Sequence, residues 1–173
     1  SDILGMAVME NHPVLVSVAD DGEACTWNIE GGSLRRRCVP PGHAHKPVNE
    51  RAVEAVAFLS GKLRHVFVTV GADRFLRMWS VSTGDCLVEM FTGHKLGESV
   101  VALAVQPANL SMATADSAGF IKVWDLSAFT GSPLRDSQEA AALIRQTAVW
   151  RAHKAVVTSV QWVSNKHGAW RIR

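Results

Sequence analysis

Three tryptophans set the terms for this chain. Trp27, Trp79 and Trp124 each close a short apolar run, and ten residues before each stands a hydroxyl: Ser17, Thr69 and Thr114. Six residues before the first two stands an acid, Asp21 and Asp73, within a turn-like stretch. His43 or His45 precedes the second set, His94 the third, and His153 a fourth. The fullest copy runs from Thr92 to Asp125; it opens on Gly93-His94 and closes on Trp124-Asp125. Such spacing marks repeated copies of one supersecondary unit, which buries its faces only by stacking on its neighbours.

The runs between the turns predict strands. Val14–Val18 and Glu23–Asn28 flank Asp21-Gly22, a strong hairpin signal, and Ser33–Cys38 follows Gly31-Gly32. Val53–Leu59, Val66–Val70, Phe75–Val81 and Cys86–Phe91 form a second set of four. Val100–Gln106, a strand around Ser111–Thr114, Ile121–Asp125 and Thr147–Arg151 form a third. The expected units are residues 3–38, 53–91 and 100–151, with the start of a fourth at 156–173. The third carries an insertion at 127–146, SAFTGSPLRDSQEAAALIRQ. There Ser137 either caps a short helix through Ala141 and Leu143, or the segment is disordered.

Composition narrows the function classes. Hydrophobic residues make up 47% and charged residues 20%, which fits a globular domain with a real core. A net charge of +2, with Arg35-Arg36-Arg37 the one basic cluster, argues against nucleic acid and anionic membranes. No apolar run reaches the roughly 18 residues of a membrane span, and no leader pattern is present. Cys25, Cys38 and Cys86 lack metal-type spacing and read as free thiols of a reducing compartment. No nucleophile elbow, phosphate loop, HExxH or catalytic acid pair occurs, so no enzyme activity and no cofactor are expected. His43 and His45 could share one strand face, but no third metal ligand lies nearby, and no metal site is expected.

The Gly-His opening, the Trp-Asp close and the repeat length resemble the WD40 family. That resemblance implies an all-β propeller arc, with about three four-stranded antiparallel blades and part of a fourth. It also implies a buried Trp–Ser/Thr–His–Asp network, here Ser17, Asp21, Trp27, Thr69, Asp73, Trp79, His94, Thr114 and Trp124. The chain departs from the pattern at Ala118, which holds the acid position while Asp116 stands two residues earlier. Asn28 and Ser80 follow the first two tryptophans in place of Asp.

The resemblance further implies a non-catalytic scaffold that binds proteins through its end loops and insertion. The missing blades are expected to belong to the same longer polypeptide. One candidate surface is the connector Val39–Arg51, with His43, His45, Lys46 and Arg51, joined on the same end by Arg74 and Lys95. The other is the insertion on the opposite end, with Leu134, Arg135, Asp136 and Glu139. The insertion followed by VWRAHKAVVTSVQW is similar to large WD-repeat proteins of cilia and flagella. It implies a cytoplasmic, cytoskeletal place among axonemal microtubule proteins. The alternative is a substrate adaptor of a ubiquitin ligase or another cytosolic or nuclear complex. Leu126 and Ser127 stand where such adaptors carry an Arg two residues after Trp-Asp.

Overall fold

A computed structural model describes residues 1–131, 137–164 and 168–172. Three antiparallel four-stranded sheets follow one another along the chain. The first contains β1 (Ile3–Val8), β2 (Val14–Ala19), β3 (Ala24–Asn28) and β4 (Ser33–Cys38). The second contains β5 (Val53–Phe58), β6 (Val66–Gly71), β7 (Phe75–Ser80) and β8 (Cys86–Phe91). The third contains β9 (Val100–Val105), β10 (Ser111–Asp116), β11 (Phe120–Asp125) and β12 (Arg145–Arg151). A two-stranded sheet, β13 (Trp162–Ser164) and β14 (Trp170–Ile172), ends the described chain. Strands pair in sequence order within every sheet. The all-β blade architecture is therefore present.

One irregularity repeats in all three large sheets. The ladder between the third and fourth strands slips at Thr26/Trp27, Met78/Trp79 and Val123/Trp124. A bulge adds local twist and re-aims a side chain. Its recurrence immediately before each tryptophan marks these positions as structurally equivalent.

The sheets stack face to face, with first strands side by side: β1 packs on β5 and β5 on β9. Strand alternation then assigns each face. Phe67 and Trp79 of the second sheet meet Val14, Val16 and Val18 of the first. The Phe67 and Trp79 rings stack at 6.3 Å and 14°. The opposite face of that sheet, with Val66, Val68, Val70, Leu76 and Met78, meets Met112 and Trp124 of the third. Ala113, Ala115 and Ile121 on the far side of the third sheet meet Val157, Trp162 and Ile172. Trp79 and Trp124 thus each face the preceding sheet. Burial of one such large apolar side chain stabilises by about 1.5–3 kcal/mol, so these seams supply most of the driving force.

Of the two forms expected for the insertion, the helix is present, and the insertion packs into the core. Phe129, Ala140 and Ile144 are buried in the seam between the second and third sheets. A short helix α1, Ser137–Ala141, lies against β8. β12 begins at Arg145, which pairs with Asp125, so residues 145 and 146 belong to the sheet and not to the insertion. At the opposite limit of the stack, Met6 and Val8 are 64% and 59% exposed beside Leu34 and half-buried Trp27.

Candidate interaction surface

Antiparallel order places the loops on two ends. Turns between second and third strands, and connectors between sheets, share one end, called here the connector end. Turns between first and second strands, and between third and fourth, share the other. Asn49, Glu50, Arg74 and Gly97 line one small cleft at the connector end. Ser60, Lys62, Asn109, Ser127 and Phe129 line a groove of about 540 Å³ at the opposite end. There the Asn109 side chain clasps Ser60 with three hydrogen bonds, accepting from its N–H and hydroxyl and donating to its carbonyl.

Each tryptophan donates its indole N–H to the hydroxyl ten residues earlier, at 2.9 Å in all three sheets: Trp27 to Ser17, Trp79 to Thr69 and Trp124 to Thr114. What lies beyond the hydroxyl differs from sheet to sheet. In the third, Thr114 Oγ1 stands 3.0 Å from His94 Nε2, and His94 Nδ1 stands 2.7 Å from Asp116 Oδ2. The Asp116 carboxylate only accepts, so the neutral ring carries its proton on Nδ1 and donates to it. That leaves Nε2 to accept from the Thr114 hydroxyl, which in turn accepts from the indole. The other Asp116 oxygen accepts the amides of Ala118 and Phe120. Burial lowers the imidazole below its ordinary value of 6.5 and outweighs the opposing pull of Asp116, which keeps the ring neutral near pH 7.

In the second sheet the polar partners are ionic. Asp73 accepts from the Phe75 amide at 3.0 Å, from Arg77 Nη2 at 2.8 Å, and from Lys46. Arg77, almost fully buried, also donates to Glu89 at 2.7 Å, and its guanidinium lies 5.1 Å from the Phe75 ring centroid. Burial pushes the Asp73 carboxyl up, but the hydrogen bond and charge of Arg77, then Lys46 and the Phe75 amide, hold it below its ordinary value. His43 lies against the turn of the first sheet, where a Cβ on Gly22 would meet its ring at 2.2 Å; its Nδ1 is buried without a hydrogen-bond partner. Lys46, three residues on, takes the acid that a histidine was expected to reach. In the first sheet Asp21 is exposed and accepts the Glu23 amide.

Arg74 is conspicuous by alignment. It stands five residues before Trp79, as Gly22 and Gly119 stand before Trp27 and Trp124. All three have positive φ, +64°, +91° and +93°. A non-glycine residue here carries backbone strain. Its guanidinium lies 5.2 Å from the Phe91 ring centroid, and its carbonyl accepts the Thr92 amide and hydroxyl.

Of the other candidates, His45 and Lys95 are exposed at the connector end, and Arg51 is half-buried with Nε donating to the Lys46 carbonyl. Glu139 is exposed on α1. Leu134, Arg135 and Asp136 lie outside the described residues. Among the described residues no group of three metal-type ligands forms, and no helix is long and apolar enough to cross a membrane. Sequence reading missed Arg77, Glu89 and the rings of Phe75 and Phe91. Aligning the copies on tryptophan would have exposed the cation, since Arg77 and Lys122 both stand two residues before it.

Residues 84–125 match the family described as "WD domain, G-beta repeat". A 73-residue stretch is 36% identical to the WD repeat-containing protein on Y chromosome of Drosophila virilis, covering 42% of this chain and 6% of that protein. A 130-residue stretch is 28% identical to the Nuclear distribution protein nudF of Aspergillus niger, covering 73% of this chain and 27% of that protein. The chain thus spans a small part of these curated relatives. Among solved structures it is similar to the computationally designed Ika4 protein, with TM-score 0.63 and 26% identity over 100% of this chain and 91% of that one. It is also similar to the designed Ika8 protein, with TM-score 0.66 and 25% identity over 99% of this chain and 45% of that one.

Proposed function

We propose that this chain, a member of the WD40 repeat family, is a non-catalytic scaffold that binds other proteins through its end loops. The observation that carries the reading is where its reactive groups sit. His94, Thr114 and Asp116 are buried and bonded to one another, and Asp73 is held by Lys46 and Arg77. Groups so committed hold sheets and loops in place and are not free to attack a substrate. The groups left at the surface, His45, Lys95 and Glu139, sit on connectors and the insertion, where binding function commonly resides.

The domain reading is one arc of a propeller. The apolar face around Met6, Val8 and Leu34 is a surface that further sheets of a longer polypeptide would cover. The finer assignment is a structural part of the ciliary or flagellar axoneme, among microtubule proteins. Its support is the resemblance of the insertion and residues 149–162 to large WD-repeat proteins of those organelles.

The scaffold is tested with the full chain and the variant H45A/K95A/E139A, which alters surface groups outside the buried networks. Loss of retained protein partners at an unchanged melting temperature is expected; unchanged retention would count against these loops as the binding surface. Imaging the tagged protein in ciliated cells tests the axonemal placement, and exclusion from the axoneme would remove it.

A further inference from the structure

The second and third sheets place a cation at the same site but treat it differently. Arg77 and Lys122 both stand two residues before the tryptophan, each directly opposite a residue of the fourth strand. Opposite Arg77 is Glu89, which accepts from it at 2.7 Å. Opposite Lys122 is Val149, half exposed. Directly opposed side chains lie about 4.5–5.5 Å apart at Cβ, within reach of an ion pair. The aromatic floor is retained, since Phe120 occupies the position of Phe75, four residues before the tryptophan. Where Glu89 would project in the second sheet, the third has a cavity of about 280 Å³ lined by Gly93, His94, Lys95, Phe120, Lys122 and Val149.

We propose that this cavity accepts a carboxylate from an acidic segment of a partner protein, which supplies from outside what Glu89 supplies within the second sheet. Lys122 is half-buried, and its ammonium makes one hydrogen bond, to the Thr92 carbonyl at 2.8 Å, leaving donor capacity toward the cavity. Among the described residues neither Lys122 nor Lys95 forms an ion pair. Arg151, outside the lining, holds its guanidinium 5.8 Å from the Phe120 ring centroid while donating to the His153 and Lys154 carbonyls. Asp116 also lines the cavity and its charge acts on Lys122, but its oxygens are turned to His94, Ala118 and Phe120, and the two lysines leave the lining net positive. Val149 and Phe120 offer apolar contact, so the favoured segment carries a Glu or Asp beside an aliphatic residue.

This inference rests on the scaffold reading and specifies the chemistry of one partner. Its test titrates the full chain with capped Leu-Glu-Leu and Leu-Gln-Leu peptides, followed by NMR at the Phe120 and Lys122 amides. The Glu peptide is expected to bind about tenfold more tightly than the Gln peptide, the margin of a charge-assisted bond. Val149→Glu fills the cavity with an internal acid; it is expected to abolish peptide binding and raise the urea midpoint. Lys122→Met is expected to abolish binding without that rise. Equal binding of the two peptides, no binding at these amides, or binding unaffected by either variant would overturn the assignment. Natural partners retained equally by wild type and both variants would leave the scaffold standing and this pocket refuted.

Discussion

Replacing Thr114 by Val tests the internal network where it is most complete. The threonine hydroxyl stands between two buried groups, accepting from Trp124 Nε1 at 2.9 Å and donating to His94 Nε2 at 3.0 Å. Thr114 is itself fully buried. Valine keeps the β-branched shape, so neither a cavity nor a change in χ1 preference obscures the result. It leaves an indole N–H without an acceptor and an imidazole nitrogen without a donor. Each buried orphan costs about 1–3 kcal/mol, so a loss of about 2–6 kcal/mol is expected. That is a large share of the roughly 5–15 kcal/mol that holds a domain folded. Ser17→Ala is the control: it removes one bond to a half-buried tryptophan, for about 0.5–1.5 kcal/mol. Urea unfolding measures both, provided the slopes match. Adding Trp124→Phe closes a double-mutant cycle, with expected coupling of at least about 0.5 kcal/mol. A Thr114→Val loss no greater than that of Ser17→Ala, with no coupling, would refute the relay.

Other consequences concern pH, charge, backbone and packing. The His94 value is lowered on folding, so the unfolded chain binds the proton more readily; stability is full above about pH 6.5 and is lost as pH falls through the folded value. A pH series of urea midpoints should therefore decline on acidification from pH 7, and His94→Gln should flatten that decline. Arg77→Met leaves Asp73 and Glu89 without their buried cation and should cost about 3–5 kcal/mol by the same assay. Arg74→Gly relieves the positive-φ strain but removes the contact with Phe91, and should change stability by less than about 1 kcal/mol. Gly119→Ala, by contrast, drives a Cβ to 2.1 Å from the His153 carbonyl and should be plainly destabilising in thermal melts. Ile144→Ala should cost about 2–5 kcal/mol, since the insertion packs into the core; a loss below 0.5 kcal/mol, typical of surface substitutions, would return it to the surface.

The repeating frame was legible because its determinants are local. A tryptophan and a hydroxyl ten residues apart lie on neighbouring hairpin strands whose register is set by a short turn, so sequence spacing becomes spatial contact. The partner of each acid is a different problem. Lys46 reaches Asp73 across 27 residues through a connector with two short 3-10 turns, at His43–His45 and Val48–Glu50. Nothing periodic in that connector distinguishes Lys46 from His43 or His45. The insertion was opaque for a related reason. Phe129 stands alone before the helix, and Ala140 and Ile144 give a single helical spacing of four, too few apolar positions to betray a buried face by period. Asp116 was visible as a displaced acid. That it would serve His94 depended on the bend after β10, which brings its second oxygen to the Ala118 and Phe120 amides.

Amide and indole hydrogen exchange on the tryptophan Nε1 protons is the most direct test of the stacked, internally bonded sheets. Trp79 and Trp124 lie in sealed seams and should exchange only with global unfolding, whereas Trp27, on the open first face, should exchange much faster. Similar, rapid exchange at all three would contradict the stacking from which the scaffold and its end surfaces are built.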